Sequence, residues 1–268
     1  MEIIGYLAII LAGISIGLIG AGGGILTVPI LVYLFGINPV LATAYSLFLV
    51  GWTSLVGVVP KYLSRKVSFK TAVVFGVPSL ISVFLTRKYI LPSIPETVFQ
   101  IGTVSVSKSL FLMVLFAILM VLAARSMLKK SKSTSGSQNP NTSINPIFVS
   151  LLGFLEGSLT GLVGAGGGFI IIPILTLLAK IEIKKAIGTS LLIVAVKSLI
   201  GSLGDITSGY LELDWKFLVL ITSLSVVGMF VGNALSRKID GQKLKSGFGW
   251  FIFIMGIYIL IKELFLRT

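Results

Sequence analysis

GLIGAGGGILTVPIL, residues 17–31, returns 144 positions later as GLVGAGGGFIIIPIL, residues 161–175, with ten of the fifteen positions identical. Gly20, Gly22, Gly23 and Gly24, and again Gly164, Gly166, Gly167 and Gly168, put four glycines into five positions. Each glycine costs a helix about 1 kcal/mol relative to alanine, so the helix breaks there twice. Apolar sequence flanks each break. Open backbone in such a setting is tolerated only where it is buried in protein or lines a cavity.

The 268 residues are 55% hydrophobic and 12% charged, with a mean hydropathy of +1.06. That is the composition of a polytopic membrane protein, whose partner is the lipid bilayer. The chain has neither cysteine nor histidine, which excludes disulfides, thiolate chemistry and histidine metal sites or proton relays. A net charge of +13 would suggest nucleic acid in a soluble protein, but the basic residues fall in short connections between apolar runs, as membrane orientation requires. No nucleic-acid partner is therefore expected. The first ten residues, MEIIGYLAII, have an acid and no Lys or Arg before the apolar run, unlike the basic start of a cleavable signal.

Apolar arms at about 3–16 and 25–35 flank the first break, about 21 and 16 Å long as helices and short for a hydrocarbon core of about 30 Å. Longer spans follow at about 39–60, 69–86 and 104–124. Residues 129–145, KKSKSTSGSQNPNTSIN, have a linker's composition. Arms at about 148–160 and 169–178 and spans at about 186–203, 217–235 and 248–261 then repeat the order. The expected fold is all-α: a first transmembrane repeat (1–128), a cytoplasmic flexible linker (129–145) and a second repeat (146–268). Each repeat is a glycine-broken hairpin plus three transmembrane helices.

The distribution of charge selects the orientation. If each glycine element returns to its starting side, fifteen Lys and Arg residues fall on one face and six on the other, with Lys197 inside a span; if each element crosses, the division is eleven to ten. Only the first has the asymmetry of the positive-inside rule. It makes the halves inverted, places the linker in the cytoplasm and both termini outside, and locates the protein in the cell membrane. A homodimer is compatible with this arrangement.

Inverted repeats with discontinuous helices form substrate sites at the midplane between the copies. The helices restarting at about Ile25 and Phe169 would point N–H groups and positive dipole ends at a small shared space, which suits an oxyanion. The glycines allow close approach to the backbone. Tight helix packing alone is the simpler explanation of small residues in membranes. The duplicated clusters, each followed five residues later by Pro29 or Pro173, exceed what packing needs. Neither copy fits GxGxxG or a phosphate loop, and no cofactor is expected.

The paired G-x-x-G-A-G-G-G elements and the segments after them resemble the TauE/SafE-type sulfite exporter family over essentially the whole chain. The resemblance implies export of sulfite, organosulfonates or related small sulfur-containing anions. Ala186-Ile187-Gly188-Thr189-Ser190 matches the family's Ala-x-Gly-Thr-Ser pattern, whereas Ala42-Thr43-Ala44-Tyr45-Ser46 has Ala and Tyr at the Gly and Thr positions.

Lys197 lies near the middle of an apolar span, at the place of Thr53 in the first copy. A buried ammonium there needs a partner or water; snorkelling competes with duty as counter-ion to an anion. Glu156, aligned with Ala12, either pairs with Lys197, carries a coupling proton or caps its arm. Among Ser46, Ser54, Thr189, Ser190 and Ser198, hydroxyls ordinarily bond to their own helix; Ser46 and Ser190 stand out as symmetry mates. The expected substrate residues are Gly22, Gly23, Gly24, Ser46, Gly166, Gly167, Gly168, Thr189, Ser190 and Lys197, with Glu156 for coupling. Asp205, Glu212 and Asp214 read as solvated charges on an outer connection, and Arg87 with Lys88, like Arg237 with Lys238, as a helix-end anchor or as a charge pair that draws anions toward an entrance. The function expected is a secondary transporter working by alternating access. The alternatives are an anion channel on the same scaffold or an intramembrane enzyme or assembly factor. The last lacks any recognisable nucleophile–base motif.

Overall fold

The computed structural model describes residues 2–101, 104–128, 146–177, 181–209, 211–236 and 241–265; the proposed linker, 129–145, lies outside them. Helix α1 (Glu2–Ile19) leads into a 3-10 turn (Ala21–Leu26) and α2 (Thr27–Tyr33), followed by α3 (Pro39–Leu63) and α4 (Phe69–Leu85). A π turn (Thr86–Ile90) and the short α5 (Leu91–Ser93) extend α4, and a hairpin of β1 (Thr97–Ile101) and β2 (Val104–Ser107) precedes α6 (Lys108–Leu128). The second half runs α7 (Pro146–Val163), α8 (Gly168–Leu177), α9 (Ile183–Ser208), α10 (Trp215–Leu235) and α11 (Gly241–Phe265).

Local chemistry sets the helix ends. Asn38 accepts from Val40 N (2.9 Å) with Pro39 in the first turn of α3, and Asp214 caps α10 by accepting from the N–H groups of Lys216 and Phe217. Gly209, left-handed at φ +67°, closes α9. The helix before each glycine break is longer than expected, running to Ile19 and Val163. The helix is stopped by Gly20 (φ +84°) and Gly164 (φ +74°), residues whose left-handed conformation only glycine adopts freely. The connection after α4 is also more ordered than expected, because the chain holds helical bonding through the π turn and then pairs β1 with β2.

Seven helices among the described residues are long and apolar enough to cross a membrane, α7 among them; α1 and the 21–33 segment are shorter apolar pieces. On α1, Ile3, Ile4, Leu7 and Leu11 are all more than half exposed, a stripe suited to lipid. The protein is a multi-pass membrane protein.

Packing follows an exchange of the two halves. Helix α1 lies on α10 and its counterpart α7 on α4, while α3 packs on α9 and α6 on α11. The closest approaches correspond as well: a Cβ on Gly13 would stand 2.9 Å from Ser225 Cα, and one on Gly157 would stand 2.9 Å from Ser79 Cα. Small residues thus let backbones touch at matching places, the usual device of membrane helices. The N-termini of α10 and α4 are held alike. The Tyr45 hydroxyl accepts from Asp214 N (2.8 Å), and Thr189, its counterpart at the 144-residue offset, accepts through Oγ1 from Ser68 N (2.9 Å).

Candidate functional site

Each glycine break docks its tip on the other half. Gly20 packs against Ile187 of α9, and Gly164 against Thr43 of α3, again 144 residues apart. Between these anchors the tips meet directly: Gly168 packs on Ala21, a Cβ on Gly22 would lie 3.6 Å from Phe169 Cα, and one on Gly24 would lie 3.3 Å from the Ala165 carbonyl oxygen. All six glycines expected to bind substrate therefore lie buried in or beside one junction.

The tips differ in conformation. The first closes as a 3-10 turn with Gly23 N donating to Gly20 O (3.1 Å), and Ser15 Oγ donates to Gly23 O (3.2 Å). The second opens, with Gly166 (φ +66°) and Gly167 (φ +71°) left-handed, and α8 starts at Gly168. Glu156 and Lys197 crowd Gly167. A Cβ there would run into Glu156 and stand 2.7 Å from Lys197 Nζ.

Lys197 and Glu156 form an ion pair, with Lys197 1% and Glu156 2% exposed. Lys197 Nζ also donates to Thr160 Oγ1 (3.1 Å), and Ser79 Oγ donates to the second carboxylate oxygen of Glu156 (2.7 Å). In the first half the corresponding positions are neutral: Ala12 replaces Glu156, Thr53 replaces Lys197, and Thr53 Oγ1 donates to Ser225 Oγ (3.1 Å). Two related cradles therefore exist, and only one is charged. Lys197 sits fourteen residues into α9, so a buried partner, rather than snorkelling, satisfies it.

The hydroxyls divide differently from the expectation. Ser46 is hydrogen-bonded to Thr27, which itself donates to Gly24 O (2.7 Å). Ser190 Oγ donates to Ile187 O (2.9 Å), and Thr189 Oγ1 donates to Lys185 O (2.7 Å) while serving Ser68 N. Ser54 and Ser198, symmetry mates about two turns further along α3 and α9, are buried with no partner among the described residues. Ser198 Oγ would lie 3.4 Å from a Cβ on Gly166, at the junction itself. Residue periodicity cannot reveal which serine is left without a carbonyl, because that depends on how its helix is seated.

Two further residues were missed. Arg87 and Asp205, expected at the surface, are fully buried as an ion pair (3.3 Å), with Arg87 Nη1 also donating to Thr43 Oγ1 (3.1 Å). The extra turn of α9, to Ser208, and the π turn after α4 carry both charges inward. Among the described residues no group of three or more acidic side chains could hold a metal ion.

The model of the family described as "Sulfite exporter TauE/SafE" matches residues 5–259 of the chain. Similar proteins include one named "Probable membrane transporter protein" from Xylella fastidiosa (strain 9a5c), 27% identical with 94% of this chain and 92% of that protein covered. A protein of the same name from Haemophilus influenzae is 28% identical (94% and 95% covered), and "Probable membrane transporter protein YunE" of Bacillus subtilis is 25% identical (96% of each). No solved structure matches.

Proposed function

Since this chain belongs to the sulfite exporter TauE/SafE family and is a membrane transporter, we propose that it carries sulfite, organosulfonates or related small sulfur-containing anions by alternating access across the hairpin junction. The observation that carries this reading is the ion pair Lys197–Glu156 buried against Gly167, where the two tips touch. A cation in the middle of a membrane protein, set beside open glycine backbone, offers an anion charge and N–H donors together.

Glu156 occupies Lys197 in the pair. An arriving anion competes with that carboxylate, and a proton on Glu156 removes the competitor and keeps the buried charge balanced. Proton and anion binding therefore favour one another, reciprocally. Ser198 and Ser54 supply donors that the fold leaves uncommitted, and Gly166, Gly167 and Gly168 supply backbone, with Gly22, Gly23 and Gly24 forming the opposing wall. Ser46, Thr189 and Ser190 hold the surrounding elements together. The two halves, inverted in the membrane, rock about the contacts that each tip makes with the other half.

Counterflow in proteoliposomes tests the proposal with sulfite, a short alkyl sulfonate, sulfate and acetate at two external pH values. Saturable, pH-dependent counterflow of the sulfur anions but not acetate is expected. Non-saturating conductance without counterflow would replace the carrier by a channel, and no response to any sulfur anion would remove the substrate assignment.

A further inference from the structure

We propose that Arg87 forms a second oxyanion subsite, separate from the Lys197 cradle and nearer the end of the bundle at which α9 finishes. The guanidinium is 0% exposed and uses only Nη1, toward Thr43 and Asp205. Nε and Nη2 have no partner among the described residues. These two nitrogens lie on one edge of the guanidinium plane, the edge that grips two oxygens of a single oxyanion.

A pair built only to neutralise charge would turn this fork onto the carboxylate. Asp205 instead meets Nη1 through one oxygen, and its Oδ2 is itself without a partner. Thr86 Oγ1, the next side chain along the π turn, is a third buried donor with no partner. Leaving so many buried polar groups unpaired is costly, and a π turn in a helix is frequently found at functional sites. An oxyanion with two accessible oxygens satisfies Nε, Nη2 and Thr86 together, while Asp205 keeps the charge balanced when the anion leaves.

The surroundings make room for the turn and connect it to the first cradle. Gly161 faces Thr86 and Gly204 faces Arg87, a Cβ on either standing 2.9 and 3.0 Å from the respective Cβ atoms. Gly161 follows Thr160, which binds Lys197, and Thr43, which binds Arg87, touches the tip at Gly164. Lys197 and Asp205 are eight residues apart on α9, about 12 Å along its axis. The subsite thus lies one step along the same helix, and as a station for the transported anion it rests on the function proposed above.

Calorimetric titration of the full chain in lipid nanodiscs with sulfite, air excluded, tests it. Two sites per chain are expected for the native protein. The double variant Arg87→Gln/Asp205→Asn, which leaves no unpaired charge, should bind one; Arg87→Lys should weaken the same site at least about tenfold, since an ammonium lacks the fork. Lys197→Met/Glu156→Gln should lose the other site and keep the one at Arg87. Unchanged stoichiometry and affinity in Arg87→Lys and in the Arg87/Asp205 double variant would overturn the subsite and leave the transport reading standing. Loss of binding confined to the Arg87 variants would keep the subsite and overturn the role of Lys197. A native protein that binds no sulfite would overturn both.

Discussion

Lys197 Nζ lies 2.7 Å from where a Cβ on Gly167 would stand. The buried cation and the open backbone are therefore one construction: the ion pair with Glu156 occupies the space that any other residue at 167 would need. A left-handed φ of +71° adds a second constraint at the same position.

Gly167→Ala should abolish anion counterflow while leaving membrane insertion intact. It combines a left-handed strain of about 1–3 kcal/mol with a collision against Glu156 and Lys197. Flotation with membranes and counterflow, measured on the same preparation, check this; transport at the native rate would reduce the glycine to packing.

Breaking the central pair should separate stability from transport. Lys197→Met or Glu156→Leu alone leaves a buried charge uncompensated, a loss of about 3–5 kcal/mol. Lys197→Met/Glu156→Leu should recover most of that stability in thermal unfolding and still fail to transport. Recovery of transport with stability would make the pair purely structural.

Glu156→Gln keeps the carboxylate's shape and removes its charge. Affinity for a short alkyl sulfonate, an anion whose charge does not change near neutral pH, should rise and lose its dependence on pH, since the competitor for Lys197 is permanently neutral. Titrations at two pH values decide this, and a pH dependence equal to that of the native protein would dissociate Glu156 from coupling.

Ser198→Ala and Ser54→Ala should stabilise the protein, by about 1 kcal/mol or more each, because they remove buried hydroxyls that have no partner. The same changes should weaken anion binding. Thr189→Val should do the reverse, costing about 1 kcal/mol through the lost bond to Ser68 N and leaving anion affinity unchanged. Denaturation and binding curves on the three variants distinguish donors reserved for a ligand from donors that hold helices.

The absence of cysteine from the sequence allows a direct test of orientation. A single cysteine at Ser133→Cys should react with an impermeant thiol reagent only from the cytoplasmic side, and one at Glu212→Cys only from outside. Labelling of both from the same side would contradict inverted halves.

The duplication, the positions of the helix breaks, the long apolar helices and the family were all readable from the chain, because each depends on local composition or on a repeat that linear comparison detects. The glycine cluster marks a helix break wherever it stands in a membrane, and Lys197 in an apolar span announces a buried partner. The choice of Glu156 as that partner, however, requires α7 and α9 to converge at the second tip. The same dependence explains the serines: Ser46 with Ser190 and Ser54 with Ser198 are both pairs at the 144-residue offset, but helix seating gives the first pair's hydroxyls partners and leaves the second pair with none among the described residues. Arg87 and Asp205 looked like surface charges because they follow apolar runs. Only the continuation of α4 into a π turn and of α9 to Ser208 draws them inward. Sequence by itself determined which segments are helical, where they break and that the halves are copies, since backbone propensity and burial in lipid act residue by residue. Which polar atoms meet, and which are left to meet a ligand, was decided by tertiary packing, because a hydrogen bond depends on ångström-scale placement of groups far apart in the chain.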